Sequence, residues 1–368
     1  MDDSSVKEFR AKGERIWKIL SKQGLVEKVA VPDDAQMSGK VGYGEAYPAK
    51  ALYKFLGYYD SEMNIAFNPS LSITIDASIC RAYCHVNSYE KDRVWVDSDV
   101  GQAYTDRAVK ALNAFRKLME VDFHFDFAIF IDRKYKKAKG MSESSAVAAA
   151  VAWALARTIY PGDEITAEFV STLARLVSGS GSRTAQLDPA LWISYPGISP
   201  YDSHSVKLGN DIPLLHFLAY TDDISVTTEN AHKAVITSPF FEPWVQNKYS
   251  WLMDDLEEGF RFPVLLERAT QESLYMHSLL YSSGIITNTK GSIEILQKFT
   301  EFRKKVRQIY LLQDTGPSIV LASPDRAILA EFSKFVGREG MVTRLAPKPG
   351  STPDNELLKR SLELFDSG

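Results

Sequence analysis

The sequence has 368 residues, of which 45% are hydrophobic and 24% charged, so it can bury a sizeable core in two domains or one large one. Its formal net charge of -4 argues against nucleic acid or an anionic membrane as partner and favours a small ligand. The longest uninterrupted apolar run, Ala146 to Ala156, is about half of the roughly 20 residues that a membrane-spanning helix needs. The acidic start Met1-Asp2-Asp3 is unlike a signal peptide, which predicts a cytoplasmic protein.

The first part of the chain predicts a helical extension followed by an α+β domain. Residues 6–24 mix charged and apolar positions at helical spacing and precede a stretch with Gly and Pro, so residues 1–48 are interpreted as an N-terminal helical extension. Beyond it, the alternating segments Ser70–Asp76 and Arg93–Asp97 predict half-buried strands, and Thr105–Leu118 predicts a helix.

The two cysteines are predicted to be buried free thiols. Cys80 and Cys84 are four residues apart in a strand-like stretch, so both side chains lie on one face of the sheet. A zinc site would need further thiol or imidazole ligands, and the neighbouring sequence supplies none.

The middle and the end of the chain predict a phosphate-binding element and a second α/β unit. A strand at Asp126–Ile131, a basic loop and an Ala-rich helix from Ser144 follow the order of an element that cradles phosphate. After Pro200 the pattern predicts an α/β sandwich. Its elements are the apolar segment Leu214–Tyr220, helices near 244–259, 263–281 and 291–308, strands at Ile309–Leu312 and Ile319–Ala322, a helix at 325–336 and a last strand at 342–346.

The segment Ala51–Asp60 and the strand Asn68–Thr74 resemble the first motif of the mevalonate diphosphate decarboxylases, which form the decarboxylase branch of the GHMP small-molecule kinases. Lys54 falls on the first lysine of the family motif, whereas Tyr58 stands where a second lysine is expected and cannot neutralise a phosphate. The resemblance implies a catalytic role for Lys54 and substrate contacts for Tyr53 and Asn64. On the sequence alone, Lys54 would be an ordinary surface lysine.

The second matching segment runs from Lys136 to Ala146, where GHMP proteins carry a Gly-rich phosphate loop ending in two serines. The resemblance implies that Ser144 and Ser145 bind substrate. Only Gly140 remains of the loop glycines, and Glu143 adds a charge that would oppose a phosphate at a cost of several kcal/mol in a partly buried site. The segment therefore predicts a poor nucleotide site. Its alternative interpretation is a simple helix cap.

The third matching segment, Ser178 to Arg183, resembles the family's Gly-Ser-Gly-Ala/Ser-Ala/Cys-Arg-Ser string. In the family the arginine grips the substrate carboxylate, and the planar guanidinium suits that task because it can make two parallel bonds. Arg183 is thus a catalytic candidate and Ser182 a substrate contact. Taken alone, the string Ser-Gly-Ser-Gly-Ser would be a flexible linker.

The fourth segment, Gln313 to Ser318, resembles the family turn that carries the central aspartate, with a lysine near it. Asp314 is the strongest catalytic candidate, although a bare Asp-x-Gly-Pro is usually only a turn. Arg107 occupies the place of the family arginine that holds the terminal phosphate, and its alternative is an exposed helix arginine.

The resemblance implies an α+β, two-domain GHMP-kinase-like fold. It has an N-terminal α/β domain over residues 49–205, a C-terminal ferredoxin-like α/β sandwich over 206–368 and the active site in the cleft between them. A homodimer is expected because the family suggests it. No metal and no cofactor are expected.

In the family, ATP phosphorylates carbon 3 of a mevalonate 5-phosphate derivative before phosphate and carbon dioxide leave. The residues expected to act in decarboxylation are present, whereas the nucleotide loop lacks most of its glycines. We therefore expect an ATP-independent enzyme that belongs to an archaeal variant of the mevalonate pathway. It would take mevalonate 3,5-bisphosphate and give isopentenyl phosphate, with Asp314 orienting Lys54 and stabilising cationic character at carbon 3. The alternatives are an ATP-dependent diphosphomevalonate or phosphomevalonate decarboxylase and a non-catalytic sensor of isoprenoid intermediates.

Overall fold

The computed structural model describes residues 2–30, 32, 40–97, 101–134, 141–160, 165–209, 212–222 and 228–367. The helices in these ranges are α1 (Asp3–Lys22), α2 (Gly101–Met119), α3 (Glu143–Ile159), α4 (Ala167–Val177), α5 (Gly181–Thr184), α6 (Thr228–Val235), α7 (Phe241–Glu258), α8 (Phe262–Ser282), α9 (Lys290–Arg303), α10 (Arg326–Val336) and α11 (Asn355–Asp366). The strands are β1 (Gly42–Ala46), β2 (Ala49–Tyr53), β3 (Tyr58–Asp60), β4 (Ile65–Ala66), β5 (Ser70–Thr74), β6 (Ser78–Asn87), β7 (Arg93–Asp97), β8 (His124–Arg133), β9 (Ala190–Trp192), β10 (Ser205–Lys207), β11 (His216–Tyr220), β12 (Tyr310–Leu311), β13 (Ile319–Ser323) and β14 (Met341–Arg344).

Two four-stranded sheets are built from the first half of the chain. One has the strand order β1-β6-β8-β7 and the other β10-β9-β5-β2. Helix α3 packs on β1 and β6, and it is buried along nearly its whole length because its Ala-rich run has no bulky polar face. A Cβ atom at Gly44 would lie 2.0 Å from the Ala150 carbonyl oxygen, so only glycine allows β1 to approach the helix this closely.

A third sheet with the strand order β12-β13-β11-β14 belongs to the second half of the chain, and its four strands are antiparallel neighbours. Helices α6 to α9 lie between β11 and β12 in the chain, and α10 lies between β13 and β14. Helix α8 packs on both β12 of this sheet and β2 of the preceding one. This helix therefore joins the elements that carry the candidate site.

Both terminal helices pack on the body of the protein. The predicted helix of the N-terminal extension is confirmed as α1, which lies on α7 with Phe9 stacked on Tyr249 at a ring distance of 5.7 Å. Helix α11 was not predicted, and its Phe365 packs with Tyr43 and Tyr83 on the outer face of the first sheet. Strand β1 begins ahead of residue 49, and the boundaries 1–48, 49–205 and 206–368 stay a prediction.

The prediction for the two cysteines is confirmed: Cys80 and Cys84 are buried free thiols in β6. Burial raises the pKa of both thiols. In the described ranges, no helix is both long enough and apolar enough to cross a bilayer.

Candidate functional site

Asp314 lies in the turn that joins β12 to β13, and three side chains from distant segments point to its carboxylate. The ammonium nitrogen of Lys50 lies 2.5 Å from Oδ2, and that of Lys54 lies 3.5 Å from Oδ1. The Ser142 hydroxyl donates to Oδ2 over 2.8 Å. The structure thus brings the predicted pair Asp314 and Lys54 together and adds a second lysine and a serine.

The two lysines are placed by strand β2. Lys50 lies within the strand and Lys54 directly follows it, and an irregularity between Ala51 and Tyr53 interrupts the pairing with β5. The side chains of Lys50 and Lys54 are only 1% and 4% exposed, whereas that of Asp314 is 27% exposed. Lys54 also donates to the Ala51 carbonyl over 2.9 Å. Within this cluster, the Asp314 carboxylate is therefore the group nearest to solvent, and the two ammonium groups are buried.

The electrostatics of this cluster keep Asp314 ionised. Burial alone would raise the pKa of its carboxyl, but the charges of Lys50 and Lys54 and their hydrogen bonds outweigh it and hold the pKa well below its usual range. Burial lowers the pKa of Lys54, and the charges of Asp314 and Glu272 oppose this shift. A carboxylate with so low a pKa does not accept a proton readily, so it acts as a fixed charge.

Arg183 belongs to the same region. It lies in the short helix α5, is buried, and donates from Nη1 to the Ser70 hydroxyl, while its guanidinium lies 5.4 Å from the centre of the Phe55 ring. Burial lowers its pKa to about 10, and the nearby charge of Asp314 opposes this shift. Its Nε has no hydrogen-bond partner among the described residues. A buried guanidinium with an unused donor is suited to bind an anion.

Helix α8 supports both sides of the cluster. His277 donates from Nε2 to the Asp314 carbonyl oxygen over 3.0 Å, and burial lowers the pKa of its imidazole to about 4. Glu272 accepts from the backbone N–H of Lys54 over 3.2 Å and forms a buried ion pair with Lys248, whose pKa burial lowers to about 8. One helix therefore fixes the backbone of both Asp314 and Lys54.

The start of α3 differs from the simple cap that the sequence allowed. Ser142 occupies the N-cap position in the left-handed region, with a φ of 65°, and makes no side-chain cap bond because its hydroxyl binds Asp314. Glu143 is not an unpaired charge, since both its oxygens accept from Arg133, over 2.5 and 2.9 Å. The expected repulsion of a phosphate by Glu143 is thus reduced by this partner.

Two predicted substrate contacts are engaged elsewhere in the protein. The Tyr53 hydroxyl donates to Asp255 and accepts from Arg268 over 3.0 Å, on the side of β2 that faces helices α7 and α8. Asn64 has a φ of 51° and donates to the carbonyl of Arg175 over 2.7 Å. Both side chains hold neighbouring elements in place, and their contact with substrate stays a prediction.

The predicted serines lie around the cluster rather than in it. Ser182 is fully buried, with its hydroxyl 2.7 Å from that of Ser171. Ser145 is also buried and accepts from the Ala49 N–H over 3.0 Å, which ties α3 to β2, whereas Ser144 is half-buried in the first turn of α3. The Arg107 side chain and the loop residues 136–140 lie outside the described residues.

Sequence reasoning missed Lys50, Ser142, Glu272 and His277. Lys50 stands in the run Ala49-Lys50-Ala51, four residues before Lys54, and a lysine between small apolar residues at this spacing was the available signal. Glu272 and His277 gave no such signal, because a charged or polar residue on a long helix is usually exposed. The part of the chain that the structure describes contains no group of three or more His, Cys, Asp and Glu arranged to hold a metal ion.

Comparison with known proteins identifies relatives of this chain. Residues 46–194 match the family model of the diphosphomevalonate decarboxylase-like N-terminal domain. The chain is 37% identical over 337 residues to the mevalonate 3,5-bisphosphate decarboxylase of Thermoplasma acidophilum, and the aligned region covers 91% of this chain and 83% of the relative. It is 35% identical over 338 residues to the enzyme of the same name from Thermoplasma volcanium, and the aligned region covers 91% of both chains.

The fold is also that of solved structures. The mevalonate diphosphate decarboxylase of Enterococcus faecalis superposes with a TM-score of 0.68 over 83% of this chain and 97% of that chain, at 21% identity. The combination of helices and sheets that was predicted as an α+β fold is thus confirmed. The family model and the identity to the two Thermoplasma enzymes show that this chain belongs to the diphosphomevalonate decarboxylase-like family.

Proposed function

We propose that this protein is a carboxy-lyase that eliminates phosphate and carbon dioxide from mevalonate 3,5-bisphosphate, without a nucleotide, to give isopentenyl phosphate. The observation that carries the proposal is the convergence of Lys50 and Lys54 on one ionised carboxylate, that of Asp314, with the buried Arg183 close enough to interact with its charge. Three buried cations in one region favour a strongly anionic substrate. The names of both Thermoplasma relatives bear out the decarboxylase activity predicted from the sequence.

The reaction needs no external oxidant, reductant or base. The electron pair of the bond between carbon 2 and the carboxyl carbon forms the new double bond to carbon 3, and the pair of the bond between carbon 3 and oxygen leaves with the phosphate. The protein must therefore orient the carboxylate and stabilise the charge on the departing phosphate. We assign the first task to Arg183 and the second to Lys54.

Asp314 has an electrostatic task in this scheme. Its low pKa keeps it ionised, and the substrate already carries the 3-phosphate, so no hydroxyl proton has to be removed. A negative charge fixed at the solvent-facing edge of the cluster stabilises cationic character at carbon 3 as the phosphate departs. It also holds the ammonium group of Lys54 toward the same place.

The start of α3 supports the absence of a nucleotide step. In a phosphate-binding helix, free N–H groups and a polar side chain at the N-terminus face the phosphates. Here the Ser142 hydroxyl is bound to Asp314 and is therefore engaged away from any phosphate at this helix end. We further propose the two-domain layout predicted from the sequence, with the site between the domains, since Lys50 and Asp314 come from opposite halves of the chain.

Turnover with defined substrates tests the proposal. Purified protein is incubated with mevalonate 3,5-bisphosphate, 5-phosphomevalonate or 5-diphosphomevalonate, each with and without ATP and Mg²⁺, and the isoprenoid product and phosphate are quantified. We expect isopentenyl phosphate from mevalonate 3,5-bisphosphate alone, at a rate that ATP does not increase. Product that forms only with ATP would establish an ATP-dependent decarboxylase instead, and binding without turnover would establish a sensor.

A further inference from the structure

Lys50 is a buried cation within strand β2, which is a costly place for a charge. Its side chain is 1% exposed, and its backbone is fixed by the pairing of β2 with Ile73 of β5. An ammonium group in such a position must be paired, because removing it from water costs several kcal/mol. Among the described residues its hydrogen-bond acceptor is Asp314, at 2.5 Å.

The two lysines hold Asp314 unequally. Oδ2 receives both the short contact from Lys50 and the Ser142 hydroxyl, whereas Oδ1 lies 3.5 Å from Lys54. The ammonium group of Lys54 also donates a hydrogen bond to the Ala51 carbonyl oxygen. The close ion pair is therefore that of Lys50 and Asp314, and Lys54 is the more loosely held of the two cations.

We propose that Lys50 is a positioning residue that fixes the Asp314 carboxylate as a charged group and so leaves Lys54 for the departing phosphate of the substrate. This inference rests on the proposed function, and it goes beyond the family motif, whose two lysines fall at the positions of Lys54 and Tyr58 and not at Lys50. Lys50 acts through Asp314 and does not itself contact substrate.

The pH dependence of turnover exposes such a role. The groups that face Asp314 are Lys50 and Lys54 at β2, Arg183 of α5, the Ser142 hydroxyl before α3 and His277 of α8. Among the groups that lower the Asp314 pKa, the charge of Lys50 has the largest effect. Removal of the Lys50 charge favours the protonated carboxyl, so the pKa of Asp314 rises. As the pH is lowered, the variant therefore loses activity at a higher pH than the wild type.

The test compares Lys50→Met with the wild-type protein in full pH profiles of kcat and KM. We expect a fall in kcat with KM within about twofold, and an acid limb of kcat that moves upward by about 1 to 3 pH units. Ionisation of the substrate phosphates is the same for both proteins, so the difference between the profiles reports the enzyme. Removing one partner of a buried ion pair is destabilising, so a melting curve checks that Lys50→Met is folded.

Two further variants separate positioning from a loss of structure. Lys50→Arg retains the charge and is expected to return the acid limb to its wild-type position, even where kcat recovers only in part. Arg93→Met breaks a comparable ion pair with Asp126 on the first sheet. It is expected to lower the melting temperature and to leave the position of the acid limb unchanged.

An acid limb of folded Lys50→Met that coincides with that of the wild type would overturn the inference, as would a large rise in KM with kcat unchanged. If the wild-type protein makes no isopentenyl phosphate, the proposed function fails instead. The inference is then tested by the ¹³C NMR titration of the Asp314 carboxyl, which must titrate at higher pH in Lys50→Met than in the wild type.

Discussion

The Asp314 carboxylate lies 2.5 Å from Lys50 and 3.5 Å from Lys54, so the lysine that the motif predicted is the more distant of its two partners. Asp314, Lys54 and Arg183 could be predicted because the order of the motifs resembles a known family. Lys50 was missed although it stands between two alanines, because its role comes from the packing of β2 against the Asp314 turn. Single residues of this kind are found only when distant segments are brought together.

Asp314→Asn tests the electrostatic role assigned to this carboxylate. The amide keeps the size and the hydrogen bonds to Ser142 and Lys50 but removes the charge, so we expect kcat to fall by about 10²- to 10³-fold. Substrate affinity, measured by isothermal titration calorimetry, is expected to change little. Turnover close to that of the wild type would contradict the role.

Arg183→Lys tests the carboxylate clamp. A lysine keeps the positive charge but loses the two parallel donors, so we expect kcat/KM to fall by about 10- to 100-fold, mainly through KM. Arg175→Lys is the matched control, because Arg175 is equally buried and donates to backbone carbonyls of Ser203 and Pro200. It should lower the melting temperature and leave KM unchanged, and equal effects of both variants on KM would argue against the clamp.

At the level of elements, local pattern predicted most strands and helices but not their partners. The Ala-rich run became α3, and the strand predicted at Arg93–Asp97 is β7 with the same bounds. Helix α11 was missed although Asp354 accepts from Glu356 and Leu357 as a regular N-cap.

Helix α1 gives a prediction about packing. A Cβ atom at Gly13 would lie 2.1 Å from the Tyr195 ring, so the helix can approach the first half of the chain only with glycine at this position. Gly13→Ala is therefore expected to lower the free energy of unfolding by about 1 to 3 kcal/mol, despite the better helix propensity of alanine. Urea unfolding measures the change.

The control for Gly13 is Gly291 in α9, where an added Cβ would have its nearest neighbour at 3.5 Å, an ordinary contact. Gly291→Ala should be neutral or slightly stabilising. A stabilised Gly13→Ala variant would show that α1 is not tightly packed on Tyr195.

At the scale of the molecule, the site combines β2 and α3 of the first half with the Asp314 turn and α8 of the second. No local pattern specifies this assembly. The resemblance predicted Asp314, Lys54 and Arg183 in one site but did not predict the part that α8 plays in it. The domain boundaries, the homodimer and the cytoplasmic location stay predictions. The family and the decarboxylase activity predicted from the sequence agree with both Thermoplasma relatives.

The bond that breaks distinguishes elimination from every ATP-dependent or hydrolytic alternative. Wild-type protein is incubated with mevalonate 3,5-bisphosphate in ¹⁸O-labelled water without nucleotide, and the products are analysed by ³¹P NMR and mass spectrometry. We expect phosphate and isopentenyl phosphate in equal amounts, with no solvent oxygen in the phosphate, because the bond between carbon 3 and oxygen breaks. Phosphate that carries ¹⁸O, or no product until ATP is added, would contradict the account.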